Sequence, residues 1–322
     1  MMNIAFKSVL APYIQGLLDQ KRALGFKYDN EEYILARFDK YWLETNGDSD
    51  DVTMESLEGW TRLLPTEGKS SQAGRISVIR QLTLYMNGLG KISYVPIDVI
   101  RYSRPVVHVL SPEEVADLFR VIDGYVPKKQ STEVTRMAYG YRVIFRLILA
   151  TGLRRSEAVC LRLDDINWKN GSITIYNAKG HKDRVVFMSG DLTKVMRKYT
   201  SDNLRLMDTE WVFPSFDPAR HFSGGALSIR FRQFWKETVY APSCAKPPTI
   251  HSLRHTYVVM RMNAWISEGI DLNVMLPYLS RALGHKSSNE TFYYYHQVKE
   301  TFRIIREKDS LAYEIFPEVR VR

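Results

Sequence analysis

Residues 171–188 read GSITIYNAKGHKDRVVFM, and their reading decides the fold class. Apolar and polar residues alternate along "SITIY", stop at the turn "AKGHKD" (178–183), and alternate again along "RVVFM". Alternation with a glycine-containing break is the pattern of a β-hairpin, here with a polar, basic tip. The segments on either side carry the wider spacing of helices. One hairpin in helical surroundings predicts a mainly α chain with a small antiparallel β-sheet, an α+β domain.

Upstream of the hairpin, "MAYGYRVIFRLILATG" (137–152) reads as a helix ended by Gly152, and "LRRSEAVCLRL" (153–163) as the start of another. Helices resume downstream from about Leu192. Farther back, "LSPEEVADLF" (110–119) opens a helix with Ser111 as cap, Pro112 in the first turn, and Glu113 and Glu114 beside the positive end of the dipole. Before it, "KISYVPIDVIRYSRPVVHVL" (91–110) has two prolines and no helical period, the mark of an extended linker.

The first hundred residues predict four helices: 9–25 ending at Gly25, 29–47 opening on an Asp/Asn cap, 53–64 with Thr53 and Ser56 in a capping pattern, and 70–90. The expected organisation is a helical domain at 1–95, a linker at 96–109, a second domain at 110–300 and a tail at 301–322.

The 322 residues carry 45 Lys and Arg against 36 Asp and Glu, a net +9. Residues 1–107 hold 13 of each sign, so the excess lies wholly in the second part. A basic domain points to a polyanion such as nucleic acid. No apolar run is long enough for a membrane span, and the N-terminus has no secretory pattern. The only cysteines are Cys160, expected as a buried small hydrophobe, and Cys244. A disulfide framework is not expected, which suits a reducing cytoplasm.

Four local signals could carry chemistry. In "TGLRRSEAVCLRLDDI" (151–166), Glu157 lies three residues after Arg154, so a carboxylate can aim a guanidinium at an anion. Lys179 and Lys182 sit at the hairpin tip, where an ammonium can reach a phosphate or protonate a leaving group. In "HSLRHTYVVMR" (251–261), His251 and Arg254 share one helix face. His255 follows His251 by four, but Ser252 stands where a metalloprotease needs Glu, so zinc is not expected. In "LGHKSSNETFYYYHQV" (283–298), Tyr294 follows His285 by nine. Taken singly, these are a surface salt bridge, a solvated turn and a packed aromatic helix. In order they form Arg, Lys, His-x-x-Arg, His, Tyr, the cations, proton donors and nucleophile that metal-free phosphoryl transfer requires.

These motifs resemble those of the tyrosine recombinases, or phage integrase family. The likeness rests on "TGLRxSE", a hairpin lysine, "HxLRH", "LGH" and the tyrosine nine residues on, and covers about residues 110–300. The N-terminal bundle is similar to the family's SAM-like core-binding domain. The resemblance implies a site-specific DNA recombinase in compact two-domain form that needs no cofactor. Tyr294 would attack the scissile phosphate and form a 3′-phosphotyrosyl link. Arg154 and Arg254 would clamp the non-bridging oxygens, and His285 would add a hydrogen bond. Lys179 would protonate the leaving 5′-oxygen, with Lys182 the other candidate. His251 would accept the phenolic proton, and Glu157 would support Arg154. On a helix, Tyr293 and Tyr295 would point about 100° to either side of Tyr294.

The implied partners are double-stranded DNA with specific recombination sites, further copies forming a tetramer on two sites, and accessory DNA-bending or directionality proteins. The tail would dock on a neighbouring protomer. Lys69, Arg75, Arg80 and Gln81 are the N-terminal candidates for DNA contact. The expected role is integration, excision or transposition of a mobile element. The alternatives are Xer-type dimer resolution, a type IB-like topoisomerase, and a DNA-binding relative without activity.

Overall fold

The computed structural model describes residues 5–96, 107–178, 182–285, 287 and 289–294. The chain divides into two compact units, Met1–Pro105 and Val106–Arg322.

The first unit is built from α1 (Ala11–Ala23), α2 (Asp29–Asn46), α3 (Met54–Thr61) and α4 (Lys69–Gly88). Helical spacing of the apolar residues buries Ile14, Leu17 and Leu18 of α1 against Leu35, Phe38 and Trp42 of α2, with Ile79, Leu82 and Met86 of α4 in the same core. Thr53 and Ser56 cap α3 reciprocally, as the sequence suggested. The cap of α2 differs from expectation: Tyr28, in the left-handed region at φ 54°, precedes the helix, and Asp29 is already inside its first turn.

Arg75 is a correction. It lies on the inner face of α4 at 3% exposure, its Nε and Nη2 donate to Glu67 at 3.0 and 2.6 Å, and its guanidinium stands over the Trp60 ring. It also donates to the Trp60 and Arg62 carbonyls. Such a side chain ties α4 to the end of α3 and has no surface to offer DNA. Lys69 is exposed at the start of α4, Arg80 is half-buried, and Gln81 accepts from Lys21 Nζ at 3.3 Å.

The second unit begins with α5 (Pro112–Gly124), capped by Ser111 and Glu114 as expected, then α6 (Thr132–Thr151) and α7 (Arg155–Val159). A short 3-10 turn leads to β1 (Ile166–Asn167), β2 (Ser172–Ala178) and β3 (Lys182–Phe187), an antiparallel sheet in the order β1-β2-β3. The two-residue β1 was not legible in the sequence, being too short to show alternation. Then follow α8 (Gly190–Leu204), α9 (Gly224–Lys236), α10 (Ile250–Ser267), α11 (Leu272–Leu283) and α12 (Asn289–Phe292).

Helix α6 is the centre of this unit. Val143, Ile144, Phe145, Leu147 and Ile148 are buried on it, and it packs against α8 and α10. The sheet lays Ile173, Ile175 and Val186 on the same core, while Tyr176, Val185 and Phe187 face outward. Arg184 shares the inner face, paired across the ladder with Ile175.

Cys160 is a second correction. It is exposed at the end of α7, where its neighbours Ala158, Val159 and Leu161 take the inward positions. Its Sγ lies 3.5 Å from His221 Nε2.

Candidate active site

Two glycines shape the site's floor. Gly152 ends α6 at φ 68°, where a Cβ would lie 2.6 Å from the Tyr257 ring and 2.9 Å from Leu283. Gly284 ends α11 at φ 67°, where a Cβ would stand 3.1 Å from Arg184 Nη1 and 3.2 Å from Arg154 Nη1. Only a residue without a side chain fits both the backbone and the space.

The turn at Gly152 delivers Arg154 as the cap residue of α7. Glu157, in the first turn, accepts from the Arg154 backbone N at 2.8 Å and from its Nη1 at 2.8 Å. Arg154 Nη2 donates to the Gly284 carbonyl at 2.7 Å. Arg254 comes from the buried face of α10 at 2% exposure. It donates to the Gly152 carbonyl at 2.6 Å, the Leu283 carbonyl at 2.8 Å and His285 Nε2 at 3.0 Å. Burial, and then Arg154 nearby, bring its pKa down to about 10, so it stays cationic at neutral pH.

An arginine can only donate, so His285 Nε2 accepts and its proton sits on Nδ1. Nδ1–H donates to Thr291 Oγ1 at 2.7 Å. Both ring nitrogens are therefore engaged within the protein. Burial, with Arg254 and Arg154 beside it, holds the His285 pKa down at about 3.

Tyr294 is 4% exposed and packs beside Val258, Met262 and Leu283. Burial raises its pKa to about 12 against the pull of Arg254. Its hydroxyl is hydrogen-bonded to Nδ1 of His255, not to His251. His251 lies one turn earlier on α10, with its ring centroid 4.3 Å from that of His255. His251 is the exposed member of the pair. Loss of part of its hydration against the cavity wall, with Arg254 and Arg154 close by, lowers its pKa to about 4. His255 is lowered to about 3 by burial and by its neighbours His251, Arg254 and His285. All three imidazoles are thus neutral at physiological pH.

These side chains open on one cavity of about 480 Å³, lined by Arg154, His251, Arg254, His285 and Tyr294, with Glu290 also on its wall. Five of the six catalytic residues expected from sequence therefore meet. They come from α7, α10, the turn after α11 and the turn after α12. Lys179 lies outside the described residues, and Lys182 opens β3 with its side chain outside them. The expected helix through the three tyrosines ends at Phe292, so Tyr293 and Tyr294 occupy a turn. Tyr293 packs edge-on against Tyr294 with ring centroids 5.6 Å apart, and Tyr295 lies outside the described residues.

The sequence reading missed His255 as the phenol's partner, having weighed it only as a metal ligand. It also missed Arg184 and Glu290. Among the described residues, no group of three His, Cys, Asp or Glu is placed to hold a metal ion, and no helix is long and apolar enough to cross a membrane.

Comparison with known proteins identifies the family. The phage integrase family matches residues 108–301. The tyrosine recombinase XerD of Listeria monocytogenes serotype 4b (strain F2365) is 26% identical over 272 residues, covering 82% of this chain and 86% of that protein. Among solved structures, the XerH site-specific recombinase bound to palindromic difH substrate superposes with a TM-score of 0.64 at 18% identity, over 92% of this chain and 83% of that one. A lambda integrase tetramer bound to a Holliday junction gives 0.62 at 17% identity, over 90% and 81%. With the family match spanning most of the second unit, and the Arg, His-x-x-Arg, His and Tyr motifs closing on one cationic cavity, the chain belongs to the phage integrase family of tyrosine recombinases.

Proposed function

We propose that this protein is a site-specific DNA recombinase that cuts and rejoins strands through a 3′-phosphotyrosyl intermediate. The observation that carries the reading is the convergence of Arg154, Arg254, His251, His285 and Tyr294 on one cavity from separate stretches of sequence. The phenolic oxygen of Tyr294 forms a bond to phosphorus as the bond from phosphorus to the 5′-oxygen breaks. The phenolic proton passes to an imidazole, and the leaving 5′-oxygen takes a proton from Lys179. A 5′-hydroxyl attacking the phosphotyrosine reverses each step, so the energy of the phosphodiester is conserved.

Arg154 and Arg254 supply fixed positive charge where the non-bridging oxygens gain negative charge, which costs no reorganisation during the reaction. His251 is the proposed acceptor at the phosphate because its ring lines the cavity, while His255 holds the phenol beforehand. His285 supports the phosphate once its Nε2 is released from Arg254 and carries a proton. A phosphate entering the cavity favours that protonation by its own charge.

The proposed substrate is duplex DNA bearing specific sites, acted on by a tetramer. The similarity to DNA-bound XerH and to a lambda integrase tetramer on a Holliday junction supports this assembly. A duplex nicked just beyond the scissile phosphate tests the chemistry. Wild-type protein should accumulate a covalent protein–DNA adduct, and Tyr294→Phe should bind the duplex without forming one. Good binding with no adduct in the wild type would leave a DNA-binding relative without activity.

A further inference from the structure

The C-terminal turn of α11 ends in three consecutive carbonyls, each taken by a different arginine. Ala282 O accepts from Arg184 Nε at 2.7 Å, Leu283 O from Arg254 Nη2 at 2.8 Å, and Gly284 O from Arg154 Nη2 at 2.7 Å. The last carbonyls of a helix lack intrahelical partners and sit at the negative end of its dipole, so guanidiniums satisfy them well. Two of these arginines line the cavity. Arg184 does not: its side chain is 5% exposed and lies on the core face of β3.

An arginine at a core position of a strand is costly unless every donor is matched. Here the match is Glu157. Arg184 Nη1 donates to Glu157 Oε1 at 2.9 Å and Nη2 to Oε2 at 2.6 Å. The same two oxygens accept Arg154 Nη1 and the Arg154 backbone N. One carboxylate is thereby shared by two guanidiniums, and its orientation is set by the bidentate fork of Arg184. Burial alone would raise the Glu157 pKa, yet the bonds from Arg184 and then Arg154 bring it to about 2.

We propose that Arg184 is a positioning residue for the phosphate clamp. It fixes Glu157, and through Glu157 the guanidinium of Arg154, against the carbonyl end of α11. This rests on the recombinase reading for its consequence in catalysis, but its structural content is independent of that reading.

Arg184→Met removes the fork and keeps apolar bulk. Arg184→Lys keeps a buried cation but cannot bridge both oxygens. Both are compared with wild type in the full chain on two nicked duplexes, one with the ordinary scissile phosphate and one with a neutral methylphosphonate there. A neutral centre places little demand on Arg154. On phosphate, adduct formation should fall on the order of 100-fold, as expected for a clamp displaced by about an ångström, and on methylphosphonate by less than about threefold. Equal losses on both substrates, or no loss on either, overturn the proposal.

A second measurement needs no DNA. The guanidinium ¹⁵N–¹H signals of Arg154, assigned by their loss in Arg154→Lys, should report hindered rotation in wild type and free rotation in Arg184→Lys. Unchanged Arg154 signals in a folded Arg184→Lys overturn the positioning role. A wild type that forms no adduct would refute the recombinase reading, while these signals still decide the role of Arg184.

Discussion

The hydroxyl of Tyr294 and Nδ1 of His255 are hydrogen-bonded to each other inside the second unit, with both residues buried. The proposed nucleophile is therefore stored as a protonated phenol on a neutral imidazole. Its pKa of about 12 makes it unreactive without a proton acceptor and an adjacent cationic phosphate clamp. Tyr294→Phe is expected to abolish covalent cleavage, whereas Tyr293→Phe and Tyr295→Phe retain it. Loss of the adduct in either of the latter, with Tyr294→Phe still active, would move the nucleophile to that neighbouring tyrosine. Gel separation of the DNA adduct reads the result.

The two histidines of α10 should separate in function. His251→Ala removes the acceptor facing the cavity and should lower the cleavage rate by about 100-fold or more at unchanged DNA affinity. His255→Ala leaves the buried phenol unpaired and should cost about 1–3 kcal/mol of stability, read as a lower Tm. A larger loss of cleavage in His255→Ala than in His251→Ala, in proteins of equal Tm, would assign the proton transfer to His255.

Acid should destabilise the second unit well before general acid denaturation. The folded pKa values of His251, His255 and His285 lie at about 4, 3 and 3, below the ordinary 6.5. As pH falls through 6.5, the unfolded chain takes up protons that the folded chain refuses, so stability declines toward pH 4 and below. Glu157 adds a decline of the same sign between its ordinary 4.5 and its folded value of about 2. Calorimetry from pH 7 to 4 should show a falling Tm, with a shallower slope in His255→Gln. A Tm that stays level to pH 4 would contradict a neutral state of these imidazoles in the folded protein.

Lys179 and Lys182 are separated by leaving-group chemistry. A 5′-bridging phosphorothiolate leaves without a proton, so it should restore cleavage to Lys179→Ala. Restoration of Lys182→Ala and not of Lys179→Ala would move the acid to Lys182.

In the first unit, Arg75→Ala should cost about 3 kcal/mol, because it strands Glu67 and two backbone carbonyls. It should leave the salt dependence of DNA binding unchanged. Lys69→Ala should do the reverse, reducing the slope of log K against log salt by about one at constant Tm. A flatter slope in a folded Arg75→Ala would return Arg75 to the DNA surface.

The sequence by itself determined the helical class, the single hairpin, and the identity of Arg154, His251, Arg254, His285 and Tyr294. The class and the hairpin rest on short-range rules, a cap, a turn glycine or a spacing along one element, and the five residues on the order of their motifs and its resemblance to the tyrosine recombinases. Only the tertiary structure decided which partners those residues take. Arg75, a DNA-contact candidate in sequence, and Arg184, which no motif singled out, are both buried, because carboxylates and carbonyls on other segments satisfy their donors. His255 and Tyr294 stand 39 residues apart, and no local period relates them. Long-range pairing of buried polar groups depends on how helices pack, and a linear spacing rule carries no record of that packing.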